Sequence, residues 1–176
     1  MQRRGAGTWI DCDLYLIRPL DRGRAFLCGE QAPGELNNAV LRIPSDSVLL
    51  PALLEPFAER IVPAWLPPRD RRAARLRRFL TGRTGISQMP WGTTGPAALT
   101  WLQKRLGIDL APLPPRIFYP VPWQRAEWIF EPGRTLEEEV FPESVAIHLW
   151  NERIRHRLGQ SPAAGTFAAR LFAEGL

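Results

Sequence analysis

The chain has 176 residues and a net charge of +5, with 45% hydrophobic and 23% charged residues, which excludes a disordered chain and indicates one globular domain. Its two cysteines suit a reducing compartment, and no apolar run approaches the length of a membrane span. An acidic strand follows Met1 within a few residues in place of a signal peptide, so we expect a soluble or peripheral protein in the cytoplasm. The basic balance favours an anionic partner.

The first 60 residues predict strands followed by a helix. Residues 7–17, GTWIDCDLYLI, predict a strand, residues 25–28 a short second strand, and residues 35–43 a loop that enters a third. Apolar residues at helical spacing predict a helix over 45–60, with Ser45 or Asp46 as its N-cap.

The rest of the chain contains two further predicted helices. We expect a basic helix over 69–80, and a Gly-rich turn at 91–96 that opens a helix over 97–106, which ends at Gly107. Residues 117–123 predict an extended apolar stretch and residues 144–150 another strand. Strands alternating with helices favour an α/β fold in a single domain over 1–176, without internal repeats.

The basic helix over 69–80 has two interpretations. The first is a solvated arginine face, and the second is a surface for an anionic membrane or acceptor, with Trp65-Leu66 and Phe79-Leu80 as apolar anchors. Nucleic acid is the weakest option, because the arginines form one block without interleaved aromatics and no nucleic-acid module signature is present.

Asp11 and Asp13 are the candidate metal ligands. In an extended strand they project to the same face, and a divalent cation would relieve their repulsion while substrate phosphates complete its coordination. Two acids spaced as D-x-D can also be ordinary side chains exposed to solvent. Phosphatases of the haloacid-dehalogenase type also have D-x-D after an apolar strand. In that family, Thr or Val stands two positions after the second acid, where this chain has Tyr15.

Five stretches together carry a resemblance to a known family. AGTWIDCDLYLIRPL resembles the DXD strand of sugar-nucleotide-dependent glycosyltransferases with the GT-A fold. LNNAVLRIP (36–44), WGTTGPAALT (91–100), LPPRIFYPVPW (113–123) and AIHLWN (146–151) are similar to successive motifs of the alpha-1,4-glycosyltransferase family, which includes the globotriaosylceramide synthase type. The resemblance covers residues 6 to about 155 and implies the C-terminal portion of a GT-A (Rossmann-like) glycosyltransferase domain.

The resemblance implies roles for individual residues. Asp11 and Asp13 would hold Mn²⁺ (or Mg²⁺) and touch the ribose and diphosphate of the donor, and His148 would close the metal and phosphate site. The remaining donor-side positions are Asn37, Asn38, Trp150 and Asn151, and the acceptor-side positions are Trp91, Gly92, Thr94, Gly95 and Pro96.

Each of these roles has a structural alternative. His148 in an apolar strand is also typical of a core histidine, Trp91 and Trp150 could be ordinary core, and Asn37 and Asn38 could cap a turn. His156 lies in a basic segment and is expected at the surface.

The activity implied by the resemblance is metal-dependent, retaining transfer of a hexose or N-acetylhexosamine. The donor would be a UDP-sugar and the acceptor a sugar hydroxyl of a glycolipid, lipopolysaccharide or other polysaccharide, with the enzyme peripheral at the inner face of a bacterial membrane. No catalytic nucleophile is assigned. The alternative is an inactive remnant that binds a glycan or a partner subunit.

In the GT-A fold, strands that cradle the uracil base precede the DXD strand. Only six residues precede it here. We therefore expect the chain to lack the N-terminal part of the catalytic domain and to bind donor weakly by itself.

Overall fold

A computed structural model describes residues 2–175 and contains both helices and strands, as expected of an α/β chain. The strands are β1 (Trp9–Ile10), β2 (Leu14–Leu16), β3 (Leu27–Ala32), β4 (Glu35–Arg42) and β5 (Ala146–His148). The α-helices are α1 (Leu49–Leu54), α2 (Pro68–Thr81), α3 (Pro96–Leu106), α4 (Pro115–Phe118), α5 (Leu136–Glu139), α6 (Asn151–Ile154) and α7 (Phe167–Ala173). Short 3₁₀ segments cover Gln2–Arg4, Glu55–Ala58, Ile86–Gln88 and Trp123–Phe130.

The strands form two small antiparallel sheets. In the first, the order is β1-β4-β3, so β4 is central and forms a hairpin with β3. In the second, β2 pairs with β5, which joins two segments more than a hundred residues apart in the chain. The long-range pairing of β2 with β5 is what positions the candidate site.

The prediction of one continuous strand over 7–17 is wrong. Trp9 and Ile10 pair with β4 in the first sheet, whereas β2 pairs with β5 in the second. A turn at residues 11–13 separates the two strands, and the Leu14 N–H donates to the Asp11 carbonyl across it. Because the carboxylates lie in this turn, neither has to fit into a strand ladder.

Two clusters of buried side chains form the core, and β4 contributes to both. Ala39 and Val40 belong to the cluster around Trp128, and Leu36 belongs to the cluster around Leu99. All three β4 side chains are fully buried. The central strand therefore has apolar packing on both of its faces.

Helices α2 and α3 confirm the predicted helices. Each has Pro in its first turn and ends at a glycine with positive φ, Gly82 at 74° and Gly107 at 64°, a conformation that glycine adopts without strain. Within residues 2–175, no helix combines the length and the apolar character needed to cross a membrane.

Two other predicted elements are corrected. The helix expected over 45–60 is the shorter α1 with a 3₁₀ turn behind it, and its N-cap is Val48 rather than Ser45 or Asp46. The extended stretch expected over 117–123 is instead the end of α4 and a loop, because prolines at each side restrict the chain to short helical turns.

Candidate metal and donor site

The structure brings Asp11, Asp13 and His148 together. One ligand-type atom from each residue lies within 4.8 Å of the other two. The β2/β5 register sets Leu14 opposite His148, and the Leu149 N–H donates to the Asp13 carbonyl over 2.9 Å. The pairing of β2 with β5 therefore sets His148 next to the turn that contains Asp11 and Asp13. The two acids lie in this turn and not, as the sequence predicts, on one face of a strand.

Asp13 is the best-connected acid of this cluster. Its Oδ1 lies 3.1 Å from Nε2 of His148, and its Oδ2 accepts a hydrogen bond from the Asn151 backbone N–H over 2.9 Å. Burial raises the pKa of Asp13, but the hydrogen bond and charge interaction with His148 and the Asn151 N–H outweigh it, so the pKa lies below its ordinary value. Asp13 is therefore an ionised carboxylate at neutral pH.

Asp11 is held at the end of β1. Its backbone N–H donates to the Ala39 carbonyl over 2.8 Å, and its Oδ1 accepts a hydrogen bond from the indole N–H of Trp9 over 2.5 Å. The side chain is only partly buried. One carboxylate oxygen of Asp11 is thus directed by Trp9, and the other remains available.

His148 is buried and packed among aromatic rings. Its imidazole centroid lies 4.0 Å from that of Trp150 and 5.8 Å from that of Tyr119. While Nε2 faces Asp13, Nδ1 has no hydrogen-bond partner among the described residues. The nitrogen of His148 that faces the acids is therefore Nε2.

Trp150 supports His148 from the core. It is 6% exposed, its indole N–H donates to the Val121 carbonyl over 2.9 Å, and its backbone adopts a left-handed φ of 56°. This conformation turns the chain from β5 into α6, so that the Asn151 N–H reaches Asp13. Trp150 can act on a ligand through the position of His148.

The three side chains fit a hard divalent cation. Carboxylate oxygens and imidazole nitrogen are ordinary ligands of Mn²⁺ and Mg²⁺, whose bonds of about 2.1 Å require donor atoms within a few ångströms of one another. The position of Nε2 of His148 next to Asp13 and the close spacing of the three side chains both agree with such an ion.

A cleft of about 480 Å³ opens beside this cluster. Asp11, Asn37, Asn38 and His148 line one part of it, and the turn at 91–96 lines another. Phe57, Ile86, Ser87, Met89 and Pro90 complete its walls. The predicted donor-side and acceptor-side positions that share this cleft are Asp11, His148, Asn37, Asn38, Trp91, Gly92, Thr94, Gly95 and Pro96.

The two asparagines have different surroundings. The Asn37 amide donates to Gln31 Oε1 and accepts from the Ala39 N–H, each over 2.7 Å, so its polar groups hold the β3/β4 hairpin. Asn38 is only partly buried, and a Cβ on Gly95 would lie 2.7 Å from its Oδ1. Glycine at position 95 therefore lets the turn at 91–96 approach Asn38 closely.

The turn at 91–96 is held to the protein by a hydrogen bond and exposes one large side chain to solvent. The indole N–H of Trp65 donates to the Thr93 carbonyl over 2.6 Å, while the side chain of Trp91 is 78% exposed. Trp91 is therefore a surface side chain at the cleft. Trp91 does not pack in the core.

Asp13 and Asn151 face a second, smaller cleft of about 310 Å³, together with Cys12 and Arg157. The acid pair thus lies between two openings. His156 is exposed and lies 3.5 Å from Glu127, as expected for a surface histidine.

Trp9 and Tyr119 contact the cluster but were not among the predicted site residues. Trp9 could have been found, because alternation along β1 sets residues 9 and 11 on the same side. Tyr119 reaches His148 across the core from α4, and no local pattern in the sequence carries that signal.

Comparisons with known proteins concern mainly the second half of the chain. Residues 88–172 match the family model described as the alpha 1,4-glycosyltransferase conserved region. This range includes the turn at 91–96 and His148, whereas Asp11 and Asp13 lie before it.

The chain is also similar to a lactosylceramide 4-alpha-galactosyltransferase from Gorilla gorilla gorilla, with 33% identity over 75 residues. The alignment covers 36% of this chain and 23% of the relative, so the chain spans about a quarter of that relative's length. No solved structure matches the chain. Residues 88–172 thus match the alpha 1,4-glycosyltransferase conserved region, which confirms the family resemblance indicated by the motifs at 91–100, 113–123 and 146–151.

Proposed function

We propose that this chain forms the metal-binding and acceptor-facing part of a retaining glycosyltransferase that uses a UDP-sugar. The observation that carries the proposal is the cluster of Asp11, Asp13 and His148, of which Asp11 and His148 line a cleft whose opposite wall lies within the residues matched by the glycosyltransferase family model. The GT-A architecture, its coverage of residues 1–176 as one partial domain, and the site roles given above are parts of this proposal.

In this proposal, Asp11, Asp13 and His148 hold Mn²⁺ or Mg²⁺, which supplies positive charge to the diphosphate of the donor. Asp13 is suited to the role because His148 and the Asn151 N–H hold its carboxylate in position. The packing of Trp150 on His148 fixes the imidazole and limits its rotation. The protein contributes a prepositioned ligand set, so little reorganisation is needed when charge develops on the leaving group.

Asn38 and the turn at 91–96 would contact the sugars. Asn38 has an amide directed toward Gly95, and Trp91 presents an exposed indole of the kind that stacks on sugar rings. We propose a glycolipid or polysaccharide hydroxyl as the acceptor and a hexose or N-acetylhexosamine as the transferred sugar. A cytoplasmic enzyme peripheral to a membrane suits a glycolipid acceptor.

The test measures UDP release from UDP-galactose, UDP-glucose and UDP-N-acetylglucosamine, with Mn²⁺ and with EDTA. We expect release from one of these donors that depends on Mn²⁺. Asp11→Asn should lower the rate at least about 100-fold, since it removes a ligand that stabilises leaving-group charge. Asp46→Asn is the matched control, because Asp46 is an exposed carboxylate away from the cleft.

Two results would contradict the proposal. One is Mn²⁺-dependent release that Asp11→Asn and Asp46→Asn affect equally. The other is Mn²⁺-dependent donor binding without UDP release from any of the three donors, which would favour the inactive alternative.

A further inference from the structure

Helix α2 is unusual because it leaves its large apolar side chains in solvent. Leu76, Phe79 and Leu80 are 60%, 86% and 70% exposed, whereas Ala74 is the helix's single buried residue. Side chains of this size normally form the packed face of a helix. The apolar residues of α2 therefore do not account for its attachment to the rest of the protein.

The exposed apolar residues share a face with arginines. Positions 72, 76, 79 and 80 follow the i, i+4, i+7 and i+8 spacing that sets side chains along one side of an α-helix. Arg69 and Arg72 occupy the N-terminal half of this side, and Leu76, Phe79 and Leu80 occupy the C-terminal half. We call this face, together with the adjacent Arg75, the α2 outer face.

The arginines of α2 fall into two groups. Arg71, Arg77 and Arg78 donate to the backbone carbonyls of Ala64, Thr84 and Arg60 and so fix the helix to neighbouring loops. Arg69, Arg72 and Arg75 have no hydrogen-bond or ion-pair partner within residues 2–175, and all three are exposed. Their charges are available to an outside anion.

We propose that the α2 outer face binds an anionic lipid surface. Guanidinium groups next to protruding leucine and phenylalanine side chains match a layer of phosphate headgroups above acyl chains, as in helices that lie in the membrane interface. Acidic residues that would be repelled are rare here, since Asp70 is the only acid in α2 and is partly buried. The unpaired guanidiniums favour a lipid surface over an apolar protein partner, which would bury them without compensation.

The structure also corrects the anchors expected from the sequence. Leu66 is 3% exposed, and the Trp65 ring packs 5.3 Å from that of Trp101 while its N–H is held by Thr93. Neither can enter a membrane, so Leu76, Phe79 and Leu80 are the apolar anchors. This inference depends on α2 alone and not on the proposed transferase activity.

The test is co-sedimentation of the full chain with vesicles of phosphatidylcholine alone and of phosphatidylcholine mixed with phosphatidylglycerol. We expect binding to the mixed vesicles that weakens as NaCl concentration rises, and little binding to the neutral ones. The triple variant Arg69→Gln, Arg72→Gln, Arg75→Gln should bind mixed vesicles about 100-fold more weakly, at about fivefold for each arginine. Phe79→Ser should weaken binding at least about tenfold, because burial of one large apolar side chain is lost.

Matched controls keep the charge and exposure changes but move them elsewhere. The triple variant Arg22→Gln, Arg105→Gln, Arg155→Gln removes the same charge from exposed sites outside α2, and Phe172→Ser alters a side chain that is 70% exposed. Both should bind vesicles nearly as the parent does. Equal losses in control and α2 variants would overturn the proposal, and so would self-association in the absence of vesicles that Phe79→Ser abolishes, which would assign the face to a second copy of the chain.

Discussion

At the scale of single residues, the two cysteines differ most clearly in their surroundings. Cys12 is exposed between Asp11 and Asp13, whereas Cys28 is 2% exposed in the core. Burial raises the pKa of the Cys28 thiol to about 11, and the charge of Glu30 adds a smaller rise against the lowering effect of Arg24. The two thiols should therefore report on different parts of the molecule.

We expect iodoacetamide to alkylate Cys12 in the native protein at about pH 8, while Cys28 reacts only after unfolding, because its thiolate is almost absent at that pH. Mn²⁺ should slow the reaction of Cys12, since an ion on Asp11 and Asp13 would restrict the turn between them. Mass spectrometry of peptides after timed quenching measures both rates. Rapid native labelling of Cys28, or a Cys12 rate that Mn²⁺ leaves unchanged, would disagree with the described surroundings.

The residues of the site also show what local sequence patterns can and cannot give. The acid pair is identifiable because two charges in an apolar run are unusual. Trp9 is identifiable because residues 9 and 11 lie on the same side of an extended chain. The contact between Asp13 and His148 joins residues 135 positions apart, so its expectation came from a resemblance to a family. The Asn37 amide forms its hydrogen bonds within the β3/β4 hairpin. The register of that hairpin depends on both strands, so neither strand alone predicts these bonds.

At the scale of elements, the bounds of α2 and α3 are predicted more closely than the strand over 7–17. Proline at the start and glycine at the end mark α2 and α3, and such signals are local. The strand over 7–17 was misjudged because β1 and β2 are both short and apolar, and only their partners show that they belong to different sheets. Strand partners are long-range information, which a pattern of apolar residues does not contain.

Strand β3 provides a test of close packing at an element boundary. A Cβ on Gly29 would lie 2.8 Å from the Phe118 ring and 2.9 Å from the Tyr119 ring, both of which are buried. Gly29→Ala should therefore destabilise the chain by about 2 kcal/mol, because rigid core rings have to move. Urea unfolding followed by circular dichroism measures the change.

Gly23→Ala is the matched control for Gly29→Ala. A Cβ at Gly23 would have its nearest neighbour at 3.4 Å, in the exposed side chain of Asp21. We expect a change of less than about 0.5 kcal/mol there. Equal stability of the two variants would show that α4 does not pack on β3 as described.

At the scale of the whole molecule, the two core clusters meet at β4. A strand that is buried on both faces couples the clusters, because neither can lose its packing without exposing a face of β4. The protein should therefore unfold as one cooperative unit.

We expect Leu36→Ala to destabilise the whole chain by about 3 kcal/mol, since Leu36 is fully buried and its removal leaves a cavity. The loss should affect both clusters equally, although Leu36 belongs only to the second. Tryptophan fluorescence and far-UV circular dichroism should give coincident urea transitions in the parent and in Leu36→Ala. A second transition in the variant would mean that the clusters unfold independently.

The site also depends on the fold of the whole molecule. The turn before β2, the end of β5 and the turn at 91–96 meet at one cleft. The proposed function depends on a metal ion bound by Asp11, Asp13 and His148, and titration with Mn²⁺ followed by electron paramagnetic resonance measures this binding. We expect the parent chain and Asp46→Asn each to remove one equivalent of Mn²⁺ from the free signal, and Asp13→Asn to bind at least about tenfold more weakly while circular dichroism shows an intact fold. Mn²⁺ binding by Asp13→Asn that equals binding by the parent, or no binding by the parent, would show that these residues do not form a metal site.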